Sequence, residues 1–436
     1  MPFGRFQARF VQEAGAGKAN LAEALTPSEV TMHATLRIAA LAALSLFAAR
    51  LPAQTSEVPM LKPEEFVILP WSWAKGSVEY MKEIRACGMN MAGLVDVKDL
   101  DAVKAAGLKC LVFDASIHAG DAECALSAEE IGKRVEAVAA KVRGRSEVFG
   151  VYLRDEPSSA VYPGLAKWSA AVKKALPGLI PYINLFPNYA SPAQMGAATY
   201  DEYLAKFIET TKAPFLSYDH YALMDDGTLR DGYFQNLEAA RKASLAAGIP
   251  FWNIVLANSH FHYAEPSLGG LQFQAYTTLA YGARGLSYFT YTAPEVGNYR
   301  LAPIDQFGNK TATWDLLRNV NNQIHRVGPT YIKLKSVNVF HHPTVPKGCT
   351  GIATSKHVAE LTGGEFVVGE FEDSQGTPYV LVVNKDLHRS TAFSVKFKQP
   401  GPITQVNCFT GAHNGWGGEN NWLAPGQGML LYVKKP

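Results

Sequence analysis

The feature that most restricts how this chain can fold is a theme repeated eight times from residue 64 onward. A short apolar run is followed by a polar or aromatic loop, then by an amphipathic stretch that usually ends in Gly. The apolar runs are 66–71, 90–96, 108–114, 148–154, 180–186, 215–220, 250–257 and 285–291. Runs this apolar read as strands buried on both faces, as in a parallel sheet. Between them, 77–86 places Val78, Met81 and Ile84 on one helical face, and 127–142 opens with Ser127-Ala-Glu-Glu130, a capping-box pattern. Gly88, Gly107, Gly144, Gly178, Gly248 and Gly282 each follow a helix, where a left-handed residue is needed.

Strand–helix alternation leaves a closed barrel or an open doubly wound sheet. Eight units favour the barrel, and neither G-x-G-x-x-G nor G-x-x-x-x-G-K-[ST] follows the first strand. The expected fold is therefore α/β: a (β/α)8 TIM barrel over 64–335, closed by a helix at 313–327. A small C-terminal antiparallel β-sandwich is expected over 336–436, with β-rich segments at 366–371, 379–383, 392–397 and 429–433.

Residues 1–53 read as an N-terminal extension and signal peptide. Met32-His-Ala-Thr-Leu-Arg37 is a short basic start that could begin translation, 38–49 is apolar, and Leu51-Pro52-Ala53 supplies a small residue for cleavage. An amphipathic N-terminal helix is the rival reading. The apolar run is too short to anchor in a bilayer. The expected destination is periplasmic or extracellular, without stable membrane insertion. A net charge of +2 with no long Lys or Arg run excludes nucleic acid as a partner. Five cysteines, none in a C-x-x-C pair, leave at most a partial set of disulfides and read mainly as small buried residues.

Active sites of such barrels lie at the carboxyl ends of the strands. The fourth run ends in Tyr152-Leu-Arg-Asp-Glu-Pro157. Alternation along a strand predicts Arg154 and Glu156 facing the barrel axis, with Asp155 turned away or capping the loop. A carboxyl in a partly dry pocket stays protonated and suits a general acid, which makes Glu156 the first catalytic candidate. Glycosidic cleavage needs a second carboxylate. Of the strand-end acids Asp96, Asp114, Asp219, Glu265 and Glu295, Asp219, inward by the same parity with Tyr221, and Glu265, in the loop after the seventh run, are the leading candidates. Trp71, Trp73, Arg154, Asp155, Asn184, His220, Tyr221, Trp252, His260 and Tyr291 are candidate substrate contacts, since sugars are bound by ring stacking and directional hydrogen bonds. His260-Phe-His262 on an extended segment would let both imidazoles reach one ion with Asp219, but no H-E-x-x-H occurs, and no metal and no cofactor are expected.

On these residues the chain resembles the clan A barrel glycoside hydrolases, especially the family 42 beta-galactosidase type and its uncharacterised relatives. The likeness covers about 64–335. In that clan an Asn-Glu pair ends strand four and the Glu is the acid/base. Asp155-Glu156-Pro157 looks like that motif with Asp replacing Asn, which implies the acid/base role for Glu156. The clan's nucleophile is a Glu at the end of strand seven, where this chain reads Trp252-Asn-Ile-Val-Leu-Ala-Asn-Ser259 and has no carboxylate. Glu265 then serves as a late substitute, or Asp219 pairs with Glu156 and an inverting course opens. The expected activity is hydrolysis of an O-glycosidic bond in an oligosaccharide or polysaccharide. The alternatives are a non-catalytic carbohydrate-binding or degenerate hydrolase, and a metal-dependent barrel lyase or isomerase.

Overall fold

The computed structural model describes residues 65–434. The expected signal segment lies outside them. Eight parallel strands, β1 (Val67–Pro70), β2 (Met91–Asp96), β3 (Lys109–Phe113), β4 (Val148–Asp155), β5 (Ile180–Asn184), β6 (Leu216–Asp219), β7 (Phe251–Leu256) and β8 (Gly285–Phe289), form two arcs in the orders β1-β8-β7-β6 and β2-β3-β4-β5. Single bridges from Trp73 to Leu94 and from Leu185 to Tyr218 join the arcs and close the ring. The expected (β/α)8 barrel is present.

Alternation along the strands divides the barrel's apolar residues in two. Val67, Leu69 and Trp71 point inward with Leu111, Tyr182, Phe215 and Ile254. Phe66 and Ile68 point outward to the helices, as do Val112, Val151 and Leu286. The six glycines expected after helices all have positive φ, between 67° and 90°. Ser127 caps the helix Ala128–Val142 by accepting from Glu130 N–H, but the Glu130 carboxylate pairs with Arg134 at 3.0 Å instead of returning to the cap.

The closing helix runs Ala312–Tyr331. Beyond it, strands Lys335–His342, Phe366–Glu372, Pro378–Asn384, Ile403–Val406, His413–Gly415 and Gly428–Val433 form a six-stranded antiparallel sheet. Val358–Thr362 pairs with Ser394–Phe397 in a second, smaller layer, and Phe340, Val368, Val380, Phe393 and Leu431 fill the space between. The opposite face of the large sheet presents Val367, Phe371 and Leu381 to the barrel. It covers the helix Leu268–Ala280, in which every residue from Gly269 to Ala280 is buried. A helix with no polar face needs cover on all sides, and the sheet supplies it. Gly369 permits the close approach, since a Cβ there would collide with the Ala280 carbonyl oxygen. All five cysteines are free thiols.

Candidate active site

The carboxyl end of β4 departs from simple alternation. The register with β5 slips between Tyr152 and Arg154, so Leu153 is accommodated as a bulge. This reverses the expected parity. Arg154 turns outward, donating to Asp121 Oδ1 at 2.7 Å and to the Ala119 carbonyl at 3.1 Å, away from the barrel mouth. Asp155 turns inward. Glu156 then adopts φ +43°, a left-handed conformation costing about 1–2 kcal/mol for a residue with a side chain. Its N–H is held by the Asn184 carbonyl at 2.9 Å. The bulge and the left-handed turn together bring two consecutive carboxyls to one site.

A hydrogen-bonded relay fixes that site from below. Ser217 Oγ donates to Asn184 Oδ1 at 2.8 Å, so the Tyr182 hydroxyl, 2.6 Å away, donates to Ser217. With its oxygen so engaged, Asn184 offers Nδ2 to Asp155 Oδ1 at 3.0 Å and to Asp219 Oδ1 at 2.9 Å. Tyr221 hydrogen-bonds Asp219, and Glu156 lies within hydrogen-bonding reach of the same carboxyl. Trp71 packs beside Tyr152 and Tyr182, with centroids at 5.7 and 5.3 Å, in the same inward-facing layer.

Burial of this cluster disfavours charge. Burial first, then the charges of Asp219 and Asp155, push the Glu156 carboxyl well above the ordinary carboxylate range. Burial pushes Asp155 up to about 6, against the pull of its Asn184 bond. Burial and the neighbouring Asp155 push Asp219 up to about 8, opposed by Asn184 and Tyr221. Two carboxyls in contact share a proton instead of both ionising. Asp219 accepts from two donors, which favours its anion, so the shared proton belongs on Glu156.

Several sequence candidates lie elsewhere. Glu265 is 57% exposed and pairs with Arg300 at 2.8 Å; it is absent from the charges that act on the cluster. Trp252 is buried at the opposite end of the barrel against Phe215 and Phe149, level with Gly285 at the start of β8. Tyr291 is buried outside the barrel, where its hydroxyl accepts from Trp314 Nε1 at 3.0 Å. His220 is fully buried between the rings of Tyr189 and Tyr233, on the outward side that alternation dictates after Asp219. Trp73, by contrast, stays with the inward-facing layer, edge-on against Phe113, which in turn packs on Tyr152.

The two imidazoles proposed to share an ion diverge. Phe261 has φ +48°, so His260-Phe-His262 is a turn and not an extended segment. His260 points inward to Asn258 Oδ1 at 2.9 Å and stacks on Tyr299, whereas the His262 side chain is 86% exposed. Among the described residues, no group of three or more His, Cys, Asp and Glu side chains is arranged to hold a metal ion.

Sequence reasoning passed over Arg230, Tyr263 and Tyr299. Arg230 and Tyr299 lie in loops, where no periodicity announces a side chain's direction.

No protein family and no curated protein matches the sequence. Solved structures do match. A glycoside hydrolase family 5 protein from Bacteroides vulgatus superposes with a TM-score of 0.54 at 12% identity, covering 85% of this chain and 89% of that one. A second structure, described as a glycoside hydrolase, gives 0.53 at 12% identity over 85% and 92%. A beta-galactosidase from the psychrophilic Marinomonas ef1 gives 0.49 at 9% identity, and this chain spans 62% of its length. The first two likenesses establish a fold shared with glycoside hydrolases. No described helix is long and apolar enough to cross a membrane.

Proposed function

We propose that this chain hydrolyses an O-glycosidic bond in an oligosaccharide or polysaccharide, with Glu156 as general acid and Asp219, in its ionised form, as the second carboxylate. The observation that carries this reading is the inward-facing carboxyl cluster Asp155–Glu156–Asp219, held by Asn184 at the carboxyl end of a barrel that glycoside hydrolases share. Glu156 keeps its proton near neutrality, and among the described residues no donor favours its anion, which suits it to protonate a leaving oxygen. Asn184 and Tyr221 pull Asp219 towards its anion against the burial that raises it to about 8, so its ionised form, suited to the sugar carbon or to a water, gains share as pH rises towards that value. Retaining enzymes separate their two carboxyls by about 5–5.5 Å and inverting ones by about 6.5–9.5 Å. Glu156 and Asp219 are in contact, so a sugar entering between them must displace the Glu156 side chain, and the displaced spacing decides the stereochemistry.

The resemblance to family 42 is part of this proposal and rests on Asp155-Glu156-Pro157. So is export, which rests on the 32–53 pattern and is checked by finding the chain outside the cytoplasm after cell fractionation. The direct test of activity is release of reducing sugar from a panel of plant and microbial oligosaccharides, with Glu156→Gln as control. Turnover by the wild type that the variant lacks is expected.

A sugar-binding protein without hydrolysis is the second reading. It is favoured by β7, whose end carries Asn258 and His260, hydrogen-bonded to each other at 2.9 Å, where a carboxylate would complete a retaining pair. Binding of an oligosaccharide with no turnover of any would establish it.

A further inference from the structure

On one side of the mouth a small hairpin follows β6. A bridge between Leu223 and Leu229 closes it, and Arg230 N–H donates to the Ala222 carbonyl at 2.7 Å. This returns Arg230 beside Tyr221, the residue that hydrogen-bonds Asp219. The Arg230 guanidinium lies 4.4 Å from the ring centre of Tyr189 and 5.4 Å from that of Tyr263. Its Nε donates to the Tyr221 carbonyl at 3.2 Å and its Nη2 to the Tyr263 hydroxyl at 3.1 Å. The group is therefore fixed in plane and direction by four contacts, none of them a carboxylate.

Among the described residues no carboxylate pairs with Arg230, in contrast to Arg154 and Arg300. Arg154 holds Asp121 and Arg300 holds Glu265. The hairpin's own acids are directed elsewhere: Asp225 faces His262, and Asp226 accepts from Thr228 N–H and Oγ1. A guanidinium carries five N–H donors. Two are engaged here, which leaves Nη1 and one Nη2 proton as a fork facing no protein acceptor among the described residues. A planar fork held rigid beside a carbohydrate site matches the two oxygens of an anion.

We propose that Arg230 is a specificity residue and that the site takes an anionic saccharide, one bearing a uronate carboxylate or a sulfate ester on the sugar bound next to Tyr221. This rests on the glycosidase reading above and narrows its substrate class. The cation also offsets the repulsion that Asp155 and Asp219 would otherwise exert on such a sugar. Tyr189 and Tyr263 act as positioning residues that keep the fork flat.

The test uses the full chain carrying Glu156→Gln, so that binding is read without turnover. Calorimetry compares oligogalacturonides, sulfated galacto-oligosaccharides and neutral galacto-oligosaccharides of equal length. The expected result is affinity at least about tenfold higher for one anionic class than for the neutral one, weakening as salt is raised. The class preferred separates carboxylate from sulfate. Adding Arg230→Gln should remove the preference, and Arg230→Lys should restore part of it, with thermal melting showing both variants folded. If Arg230→Gln does not fold, the salt dependence and anionic preference of Glu156→Gln alone decide. Equal affinity for neutral and anionic sugars, no binding of either anionic class, or a preference unchanged in Arg230→Gln overturns the proposal. Wild-type turnover restricted to neutral sugars would sink Arg230's role while leaving hydrolysis standing. Anionic binding without turnover of any sugar would do the reverse.

Discussion

Ser217 sets the direction of Asn184: its hydroxyl donates to Asn184 Oδ1 at 2.8 Å, which leaves the amide nitrogen to face the acids. Both bonds made by that nitrogen favour carboxylate anions, on Asp155 and on Asp219. Replacing Asn184 with Leu removes them, so both carboxyls should titrate at still higher pH. If catalysis requires ionised Asp219, the acidic limb of kcat/KM moves upward and the maximum falls by about tenfold or more. A pH–rate profile of Asn184→Leu that superposes on the wild type would refute this.

Glu156→Gln keeps the shape of the side chain and removes its proton. Loss of a general acid typically costs about 10²–10⁴ in rate. The loss should be large for alkyl glycosides and small for a dinitrophenyl glycoside, whose leaving group needs no protonation. The basic limb of the pH profile should vanish as well. Equal losses on both kinds of substrate would point to a binding role instead.

Asp219 should lower the stability of the fold at alkaline pH. Its folded pKa, about 8, exceeds the ordinary aspartate value of about 3.9 in an unfolded chain. The folded protein therefore binds the extra proton, and stability is intact below pH ~4 and is lost as pH rises through about 8. Asp219→Asn should raise the melting midpoint by a few degrees at pH 8.5 and leave it nearly unchanged at pH 4. His220, pushed by burial down to about 3, acts in the opposite sense: its contribution is intact above the unfolded histidine pKa of about 6.5 and is lost as pH falls towards 3.

Glu265→Gln separates the two partners suggested by the sequence. Its exposed pair with Arg300 is worth at most about 1 kcal/mol. Activity should stay within about twofold of the wild type, whereas Asp219→Asn should reduce it by about a hundredfold or more. The opposite ranking would return the role to Glu265.

Anomeric configuration of the first product, followed by NMR, gives the stereochemical course. Water attack opposite Glu156 with Asp219 as base inverts; attack by Asp219 itself retains.

The barrel was legible because its strands are buried on both faces and its helices end in left-handed glycines. Both are properties of short local segments. Asp219 was equally legible, because β6 pairs with β7 without a slip and simple alternation holds. At β4 the alternation failed, since a bulge at Leu153 depends on how β4 meets β5 and leaves no mark in its own residues. It exchanged the places of Arg154 and Asp155. Trp252 misled for a different reason: an aromatic on a barrel strand looks the same whether it floors the mouth or fills the far end, and only its level with Gly285 decides. Strands Val358–Thr362 and Ile403–Val406 were missed because they are short and half polar, with Glu360 and Thr362 in the first and Thr404 and Gln405 in the second.

The all-buried helix Leu268–Ala280 has a last consequence. It stands between β7–β8 and the large antiparallel sheet, with Gly369 and Gly428 bringing the sheet backbone down onto Ala280 and Tyr276. A gene ending near residue 335 would leave this oily cylinder bare to solvent on the flank that carries β7 and β8. The carboxyl-terminal strands are thus a wall of the same building, and a barrel made without them should precipitate when expressed.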